Sequence, residues 1–542
     1  MTSLLNRMAA MAVFCSFPLI VAAQTPAPAA TPAPPPPQRD AVTEGSVTIG
    51  GQSIEYRAIA GTITVGASDS HDAALNLEGQ LLTDAGEKPL DLTKPDEAPA
   101  TARIFFTAYF KKGAAQETRP VMFLYNGGPG SATMWLHMGS FGPRRVITTD
   151  TQHDAAAPYK MVNNQYSLLD ATDLVFIDAP GTGFSRIFGK DKEKSFWGTD
   201  QDARAFARFV HRFLTKFDRW NSPKYIFGES YGTPRSAVLS SMLNGVDLNG
   251  IVLLSAILSF DNSVDGPRWN PGVDQPYALA LPTYAASAWY HHKLPQQPPA
   301  LEPFLKTVEQ FALGEYMSAL LQGSDLPEAR KQAVAEKLHN YTGLPTEYWM
   351  KSNLRVAGGA FSKTLKDKEG ITTGRLDSRY QGPDYNPLSE EAEYDPQSNA
   401  ISSAYVAAIN HYMRNDLKYG DNQTYKPSAY SDGFQWDLRH QSPGGPPAQF
   451  SEGGVNVMND LATSMKANPK MKVLLAGGYY DLATPFFEGM YEMHHLPMPN
   501  SLQSNISYHY YEAGHMVYVN EPILKQFHDD VANFIHTTSP VK

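Results

Sequence analysis

Cysteine is almost absent from this chain, whose 542 residues include only Cys15. That residue lies in the apolar stretch MTSLLNRMAAMAVFCSFPLIVAA, which has a basic start at Arg7 and a small-residue cleavage site at 21–23, as secretory leaders do. We expect residues 1–23 to be removed as a signal peptide, which excludes disulfides, thiolate metal sites and a cysteine nucleophile from the mature protein. An exported protein without disulfides is typical of a periplasmic or secreted bacterial enzyme.

Clusters of like charge are also missing. The chain has 45 basic and 55 acidic residues, a formal net charge of −10, and they are spread along the sequence without long runs. Nucleic acids and anionic membranes bind to concentrated cationic surfaces, so we predict neither as a partner. Beyond the leader no apolar stretch is long enough to cross a bilayer, and we expect no membrane span in the mature chain.

The chain after the leader, residues 24–542, divides into segments that differ in composition and pattern. Residues 24–40, QTPAPAATPAPPPPQRD, are rich in proline and alanine and predict an extended, disordered linker. Residues 41–270 and 441–542 read as the two parts of one α/β domain, the first with a β-rich start. Residues 271–440 read as a helical cap inserted between those two parts.

Two kinds of strand pattern appear in the α/β domain. Residues 45–112 alternate or cluster β-branched and aromatic side chains, as antiparallel strands do. Later strands are short continuous apolar runs, which fit a parallel sheet buried on both faces. These runs are VMFLYN (121–126), DLVFID (173–178), KYIF (224–227), GIVLLS (250–255), KVLLAG (472–477) and ISYHYY (506–511). Helical patterns, such as residues 200–217 and 520–536, separate several runs. This alternation predicts an α/β fold with a mostly parallel central sheet.

Between residues 270 and 440 the alternation stops, and helical, aromatic-rich segments replace it. We predict that this region covers the carboxyl edge of the sheet, where α/β folds bind ligands. The aromatic residues of TYAASAWYHH (283–292) are candidates to line a pocket for the substrate side chain.

The segment GESYG, residues 228–232, stands between the strand KYIF and a predicted helix. Strand, tight turn and helix are the context that a nucleophile elbow requires. The flanking glycines let the strand and the helix pass closely, and the helix N-terminus favours negative charge beside the serine. Ser230 is therefore the predicted nucleophile.

A serine nucleophile needs a histidine base and an acid that orients it. In this fold class the acid and the histidine follow the serine in that order along the chain. Asp481 lies just past the strand KVLLAG, and His515 lies in a Gly-His loop between the last strand and the last helix. Both positions follow strand ends, so we predict that they complete a triad with Ser230.

An oxyanion hole needs two backbone N–H donors. One is expected from Tyr231, the residue after the nucleophile, and one from the glycine-rich loop NGGPG at 126–130. No lysine follows this loop at P-loop spacing, and the same holds for DAPGTGFS at 178–185. We therefore predict no nucleotide site, and we expect neither a metal nor a cofactor.

Taken in order, NGGPGS, DAPGTGFS, GESYGTPR, the Asp481 loop and GHMV resemble the serine carboxypeptidase family of α/β-hydrolases, in a bacterial secreted form. The resemblance covers roughly residues 100–260 and 470–540. It implies an α/β-hydrolase fold and hydrolysis of C-terminal residues from peptide substrates through an acyl-enzyme on Ser230, with His515 and Asp481 as partners.

The resemblance also assigns roles around the triad. It implies that the amides of Gly128 and Tyr231 donate to the oxyanion, and that Asn126 and Glu229 bind the terminal carboxylate of the substrate. Glu229 would have to be protonated for this, because two ionised carboxylates cannot share a hydrogen bond.

One position departs from the family pattern. Family members commonly carry glutamate in an E-L-G-P segment that completes the carboxylate site, whereas this chain has Ser140 in the matching S-F-G-P. Two alternatives therefore stay open: an esterase or acyltransferase that uses the same triad on a non-peptide acyl donor, and a catalytically silent binding protein of the same fold. Function depends on the site rather than on the fold.

Overall fold

The computed structural model describes residues 39–80, 82, 98–266, 270–430, 434–445 and 455–539. The predicted signal peptide and nearly all of the predicted linker lie outside the described residues. The described strands are β1 Ala41–Ile49, β2 Gln52–Gly66, β3 Thr101–Lys111, β4 Val121–Tyr125, β5 Arg144–Val146, β6 Met161–Asn163, β7 Asp173–Ile177, β8 Arg186–Phe188, β9 Lys224–Glu229, β10 Gly250–Leu254, β11 Ile371–Thr373, β12 Gln381–Pro383, β13 Lys472–Gly478 and β14 Ile506–Tyr511.

The α-helices of the same residues are α1 Asp69–Ala73, α2 Met134–Leu136, α3 Lys192–Phe196, α4 Thr199–Lys216, α5 Gly232–Met242, α6 Gln275–Tyr290, α7 Leu301–Phe311, α8 Met317–Leu320, α9 Glu328–Thr342, α10 Thr346–Lys351, α11 Gly358–Thr364, α12 Pro396–Asn415, α13 Met458–Ala467, α14 Phe486–His494 and α15 Glu521–Thr538. A short π-helix, His137–Phe141, continues α2. None of the helices in the described part of the chain is long and apolar enough to cross a membrane.

One large sheet organises the molecule, with strand order β1-β2-β3-β7-β4-β9-β10-β13-β14. The first three strands pair antiparallel, and β3 pairs antiparallel with β7. From β7 to β14 every neighbouring pair is parallel. All six continuous apolar runs of the sequence are these parallel strands, and the predicted α/β-hydrolase fold with a mostly parallel sheet is confirmed.

The parallel strands are apolar throughout because both of their faces are covered. Every residue of β4, β7 and β10 is buried. On one face, phenylalanines of α4 pack edge-on against Phe106 of β3, with Phe209 and Phe213 at ring distances of 5.8 and 5.5 Å. On the other face, α15 buries Phe527 and Phe534 against the sheet.

The chain between β10 and β13 is mainly helical, as the sequence predicts. Its helices share a core in which Tyr284 stacks on Phe361 at 4.1 Å, and this core extends to Leu482 and Phe486 beside β13. Division of residues 271–440 into a separate cap remains a prediction. We call these residues the cap region.

The carboxyl ends of the parallel strands meet at one edge of the sheet. This edge therefore collects the loops that follow β4, β9, β10, β13 and β14. The sequence motifs NGGPG, GESYG, the Asp481 loop and the Gly-His loop all belong to these loops.

The opposite edge holds a buried ion cluster. Asp173, at the start of β7, accepts hydrogen bonds from Arg119 Nε at 2.8 Å and from Arg219 Nη1 at 2.6 Å. All three side chains are buried, and Arg219 also donates to two backbone carbonyls. Removing the carboxylate charge would leave two buried guanidinium groups without their counterion.

We therefore expect Asp173→Asn to lower the free energy of unfolding by about 3–5 kcal/mol. Urea unfolding followed by circular dichroism measures the change. Asp529→Asn is the matched control, since Asp529 pairs with Lys525 on the solvent-exposed side of α15, where an ion pair contributes little. Equal losses in the two variants would contradict a special role for the buried cluster.

Candidate active site

Ser230 lies at a sharp turn between β9 and α5. Its φ is +58°, a conformation that residues with a side chain adopt only when the surrounding structure enforces it. The backbone holds the turn, because Ser230 N–H donates to Leu254 O at 3.0 Å and Ser230 O accepts from Thr233 N–H at 2.8 Å. A Cβ on Gly228 would lie 2.0 Å from the carbonyl oxygen of Gly232, so the first glycine of the motif is a steric requirement.

His515 and Asp481 meet at the carboxyl edge. His515 Nδ1 lies 2.7 Å from Asp481 Oδ2, and both side chains are buried. Asp481 also accepts from the amides of Ala483 and Thr484 at 2.8 and 3.0 Å and from the Thr484 hydroxyl at 2.6 Å. Burial lowers the pKa of His515, but the charge and hydrogen bond of Asp481 outweigh it and raise the pKa above the ordinary value of 6.5.

The glycine-rich loop packs directly on the elbow. A Cβ on Gly127 would lie 2.3 Å from the Tyr231 nitrogen, so only glycine allows this approach. Gly128 follows with φ +109°, and Gly128 and Tyr231 line the same cavity as Ser230. The structure thus brings together the two positions that the sequence assigns to the oxyanion hole.

A buried arginine of the GESYGTPR motif fixes this loop. Arg235 Nη1 donates to the carbonyl oxygen of Asn126 at 2.7 Å, and its Nε contacts Asp202 Oδ2 at 2.5 Å. The Arg235–Asp202 pair is fully buried. Arg235 had no predicted role, although the GESYGTPR motif ends on it.

Glu229 is held at the floor of the site by two donors. Asn126 Nδ2 donates to its Oε2 at 2.8 Å, and the Tyr518 hydroxyl lies 2.9 and 3.1 Å from its two carboxyl oxygens. Burial raises the pKa of Glu229 to about 7, although His515 and these hydrogen bonds act in the opposite direction. The family resemblance pairs Asn126 with Glu229, whereas the only signal for Tyr518 in the sequence is its place three residues after His515.

Ser140 does not take the place of a second carboxyl group. It lies in the π-helix, fully buried, and its hydroxyl donates to the carbonyl oxygen of Leu136 at 2.6 Å. It is not part of the cavity wall. Its side chain serves the local helix geometry rather than a ligand.

The cavity above these residues has a volume of about 730 Å³. The cap region contributes part of its wall through Arg375, Leu376, Gln397, Ser398, Ile401, Tyr430 and Leu438. The expectation that residues 283–292 line the pocket is wrong, because none of them reaches the cavity. Their aromatic rings pack inside the cap instead, as Tyr284 does against Phe361.

Comparison with known proteins identifies related sequences for part of the chain. The family model "Serine carboxypeptidase" matches residues 96–244, which include the glycine-rich loop and the elbow. "Serine carboxypeptidase-like 34" from Arabidopsis thaliana is 25% identical over 30% of this chain and 34% of its own length. Human "Probable serine carboxypeptidase CPVL" is 30% identical over 28% and 32%. "Pheromone-processing carboxypeptidase KEX1" from Saccharomyces cerevisiae is 30% identical over 27% and 20%.

The chain therefore spans about a fifth to a third of the length of these relatives. Among solved structures, a proline iminopeptidase from Mycobacterium smegmatis aligns with 81% of this chain and 96% of its own at 14% identity, with a TM-score of 0.34. Asp481 and His515 lie outside the residues that the family model matches. The segment that carries the glycine-rich loop and the nucleophile elbow is therefore similar to serine carboxypeptidases.

Proposed function

We propose that this protein is a serine-type carboxypeptidase that removes C-terminal residues from peptides. The observation that carries the proposal is the placement of Glu229, a buried carboxyl group whose pKa is about 7, directly before the nucleophile in the chain and in the same cavity wall. A carboxyl group that is neutral near pH 7 can donate a hydrogen bond to a substrate carboxylate. The substrate of a carboxypeptidase presents a free carboxylate beside the bond that is cleaved, whereas the substrate of an endopeptidase does not.

The proposed reaction begins with attack of Ser230 Oγ on the last peptide carbonyl. His515 takes the hydroxyl proton through Nε2, while Asp481 holds Nδ1 and stabilises the imidazolium. The amides of Gly128 and Tyr231 donate to the oxyanion that forms. Collapse of the intermediate breaks the C–N bond, and His515 returns its proton to the leaving amine. Water then attacks the acyl-enzyme by the same proton route and frees Ser230.

Recognition of the terminal carboxylate is assigned to Asn126 and Glu229. The Asn126 amide and the protonated Glu229 each have an N–H or O–H to donate, and hydrogen bonds to a charged group are stronger than those between neutral groups. Tyr518 does not line the cavity, and its hydroxyl, which a raised pKa keeps protonated, lies 2.9 and 3.1 Å from the Glu229 carboxyl oxygens, so we assign it the role of positioning Glu229.

The alternative is an esterase or acyltransferase with the same triad. The orientation of Ser140 favours it, because no second carboxyl group from that segment reaches the cavity. Recognition of a substrate carboxylate would then depend on a single carboxyl group, that of Glu229, rather than on two. We also propose that the protein is exported and that residues 271–440 act as a cap over the site.

Substitution of the triad tests whether the protein is an enzyme at all. Ser230→Ala and His515→Ala should each lower kcat by about 10⁴-fold or more, and the double variant should lose little beyond either single one, since triad members act as a unit. Initial rates on a C-terminally free peptide measure this loss.

Covalent labelling adds an independent readout. A fluorophosphonate should label the wild type once, at Ser230, and should not label Ser230→Ala. Ser241→Ala, on the same helix α5 but outside the cavity wall, should label and turn over like the wild type. Wild-type rates in Ser230→Ala would overturn the triad assignment, whereas absence of both turnover and labelling in the wild type would favour the silent binding protein.

The Glu229 pKa predicts a pH dependence that is specific to free-acid substrates. Above a pH of about 7 Glu229 ionises and repels a substrate carboxylate, so KM for free-acid peptides should rise with pH while KM for the matching C-terminal amides changes less. As the pH is lowered, His515 becomes protonated and kcat should fall for both substrates. Because the pKa of His515 is raised above 6.5, this fall should already begin above pH 6.5.

Glu229→Gln should flatten the rise in KM above neutral pH, because an amide donates without titrating. Glu492→Gln is the matched control: Glu492 is another buried glutamate with a pKa of about 7, but it accepts from the Leu258 and Ser259 amides rather than facing the cavity. Its variant should keep the wild-type pH dependence of KM. Equal use of the free acid and the amide at every pH would favour the esterase alternative.

A further inference from the structure

A short segment of the cap region, residues 375–378, is bonded to the loops that carry two members of the proposed triad. We call it the bridging segment. Three bonds join its backbone to the backbone of these loops: Leu482 N–H to Arg375 O at 3.0 Å, His515 N–H to Leu376 O at 2.6 Å, and Ser378 N–H to Tyr480 O at 2.9 Å. One stretch of four residues therefore contacts both loops at once.

These bonds involve His515 itself and the two chain neighbours of Asp481. One donor is the amide of His515, and the two other bonds flank Asp481 on either side, at Tyr480 and Leu482. The two loops follow the neighbouring parallel strands β13 and β14. The bridging segment belongs to neither loop, since it lies in the cap region. The separation of Asp481 from His515 thus depends on a template that comes from the cap region.

Close packing accompanies the hydrogen bonds. A Cβ on Gly514 would lie 2.3 Å from the Cβ of Asp377 in the bridging segment. The His515 loop therefore has no room to approach further, while the hydrogen bond from His515 prevents it from moving away. The bridging segment limits this loop in both directions.

Asp395 holds the bridging segment in place. Its Oδ1 accepts from the amides of Arg375 and Leu376 at 2.7 and 3.1 Å. Its Oδ2 accepts from the amide of Ser398 at 2.7 Å and so caps the first turn of α12. The two carboxylate oxygens have separate tasks, one toward the bridging segment and one toward the helix.

We propose that Asp395 is a positioning residue for catalysis, which acts through the bridging segment to set the geometry of Asp481 and His515. The cap region would then affect kcat even for substrates that are too small to contact it. This inference rests on the triad of the proposed function. Displacement of catalytic groups by about 1 Å can lower a rate by about 10²-fold, so loss of the template should reduce kcat strongly.

Two substitutions at Asp395 separate its tasks. Asp395→Ala removes both acceptors. Asp395→Ser keeps a hydroxyl that can cap a helix, but its single oxygen cannot also accept from the bridging segment. The measurements are kcat and KM for 4-nitrophenyl acetate, together with the midpoint of thermal unfolding.

We expect both variants to lose about 10- to 100-fold in kcat with KM nearly unchanged, and Asp395→Ser to unfold closer to the wild-type temperature than Asp395→Ala. Ser68→Ala is the matched control, because Ser68 caps α1 far from the cavity, and it should retain the wild-type kcat. A merely structural Asp395 would instead give a kcat that follows the unfolding temperature. Wild-type kcat in Asp395→Ser overturns the inference.

Gly514→Ala tests the same template from the opposite side. Its new methyl group would meet Asp377 and push the His515 loop away from the bridging segment, so a loss of kcat of similar size is expected even if Asp395→Ala fails to fold. Wild-type kcat in Gly514→Ala also overturns the inference. Failure of the proposed triad looks different, since the wild type itself would then neither hydrolyse the ester nor react with a fluorophosphonate, and failure of carboxylate recognition alone would leave this ester assay unchanged.

Discussion

The close packing of the glycine-rich loop against the nucleophile elbow is the contact on which the rest of the site depends. With no Cβ at Gly127, the loop approaches the Tyr231 amide closely enough for both loops to face one cavity. Asn126 then makes three further bonds: its carbonyl accepts from Arg235, its Oδ1 accepts from the Leu136 amide, and its Nδ2 donates to Glu229. A side chain at position 127 would disturb all of these together.

Burial gives the site its chemical character. Glu229 is 2% exposed, and removal of water destabilises its charged form more than Asn126 and Tyr518 stabilise it. Asp481 is equally buried, but it accepts two backbone amides, a hydroxyl and the imidazole. Burial therefore favours a neutral Glu229, which can donate a hydrogen bond, whereas Asp481 is surrounded by donors and serves as an acceptor.

The parts of the structure that local pattern determines could be predicted from the sequence. Continuous apolar runs identified the six parallel strands, because strands buried on both faces need apolar side chains at every position. The elbow was predicted for a steric reason that the structure bears out at Gly228, whereas the glycine-rich loop was predicted as an oxyanion donor and its close approach at Gly127 is seen only in the structure. Asp481 and His515 were found from their places after strand ends, and the structure joins them at 2.7 Å.

The remainder depends on contacts between distant segments. Tyr518 reaches Glu229 only because the loop after β14 folds back over β9, and no local pattern encodes that path. The aromatic residues of 283–292 were assigned to the pocket because composition cannot distinguish a ring that packs in a core from one that lines a cavity. The carbonyl groups of the bridging segment carry no sequence signal at all, because every residue has one.

The backbone bonds between residues 375–378 and the loops of β13 and β14 also bear on how such a chain could diversify. If a cap only covered a site, it could be replaced by a cap of different length. The replacement would then change the substrate selectivity without affecting the catalytic residues. Here the cap region forms backbone bonds that support the loops of His515 and Asp481. Transplanting it would transplant this support too, so new selectivity is more readily reached by changing side chains on α12 and its neighbours than by replacing the cap region.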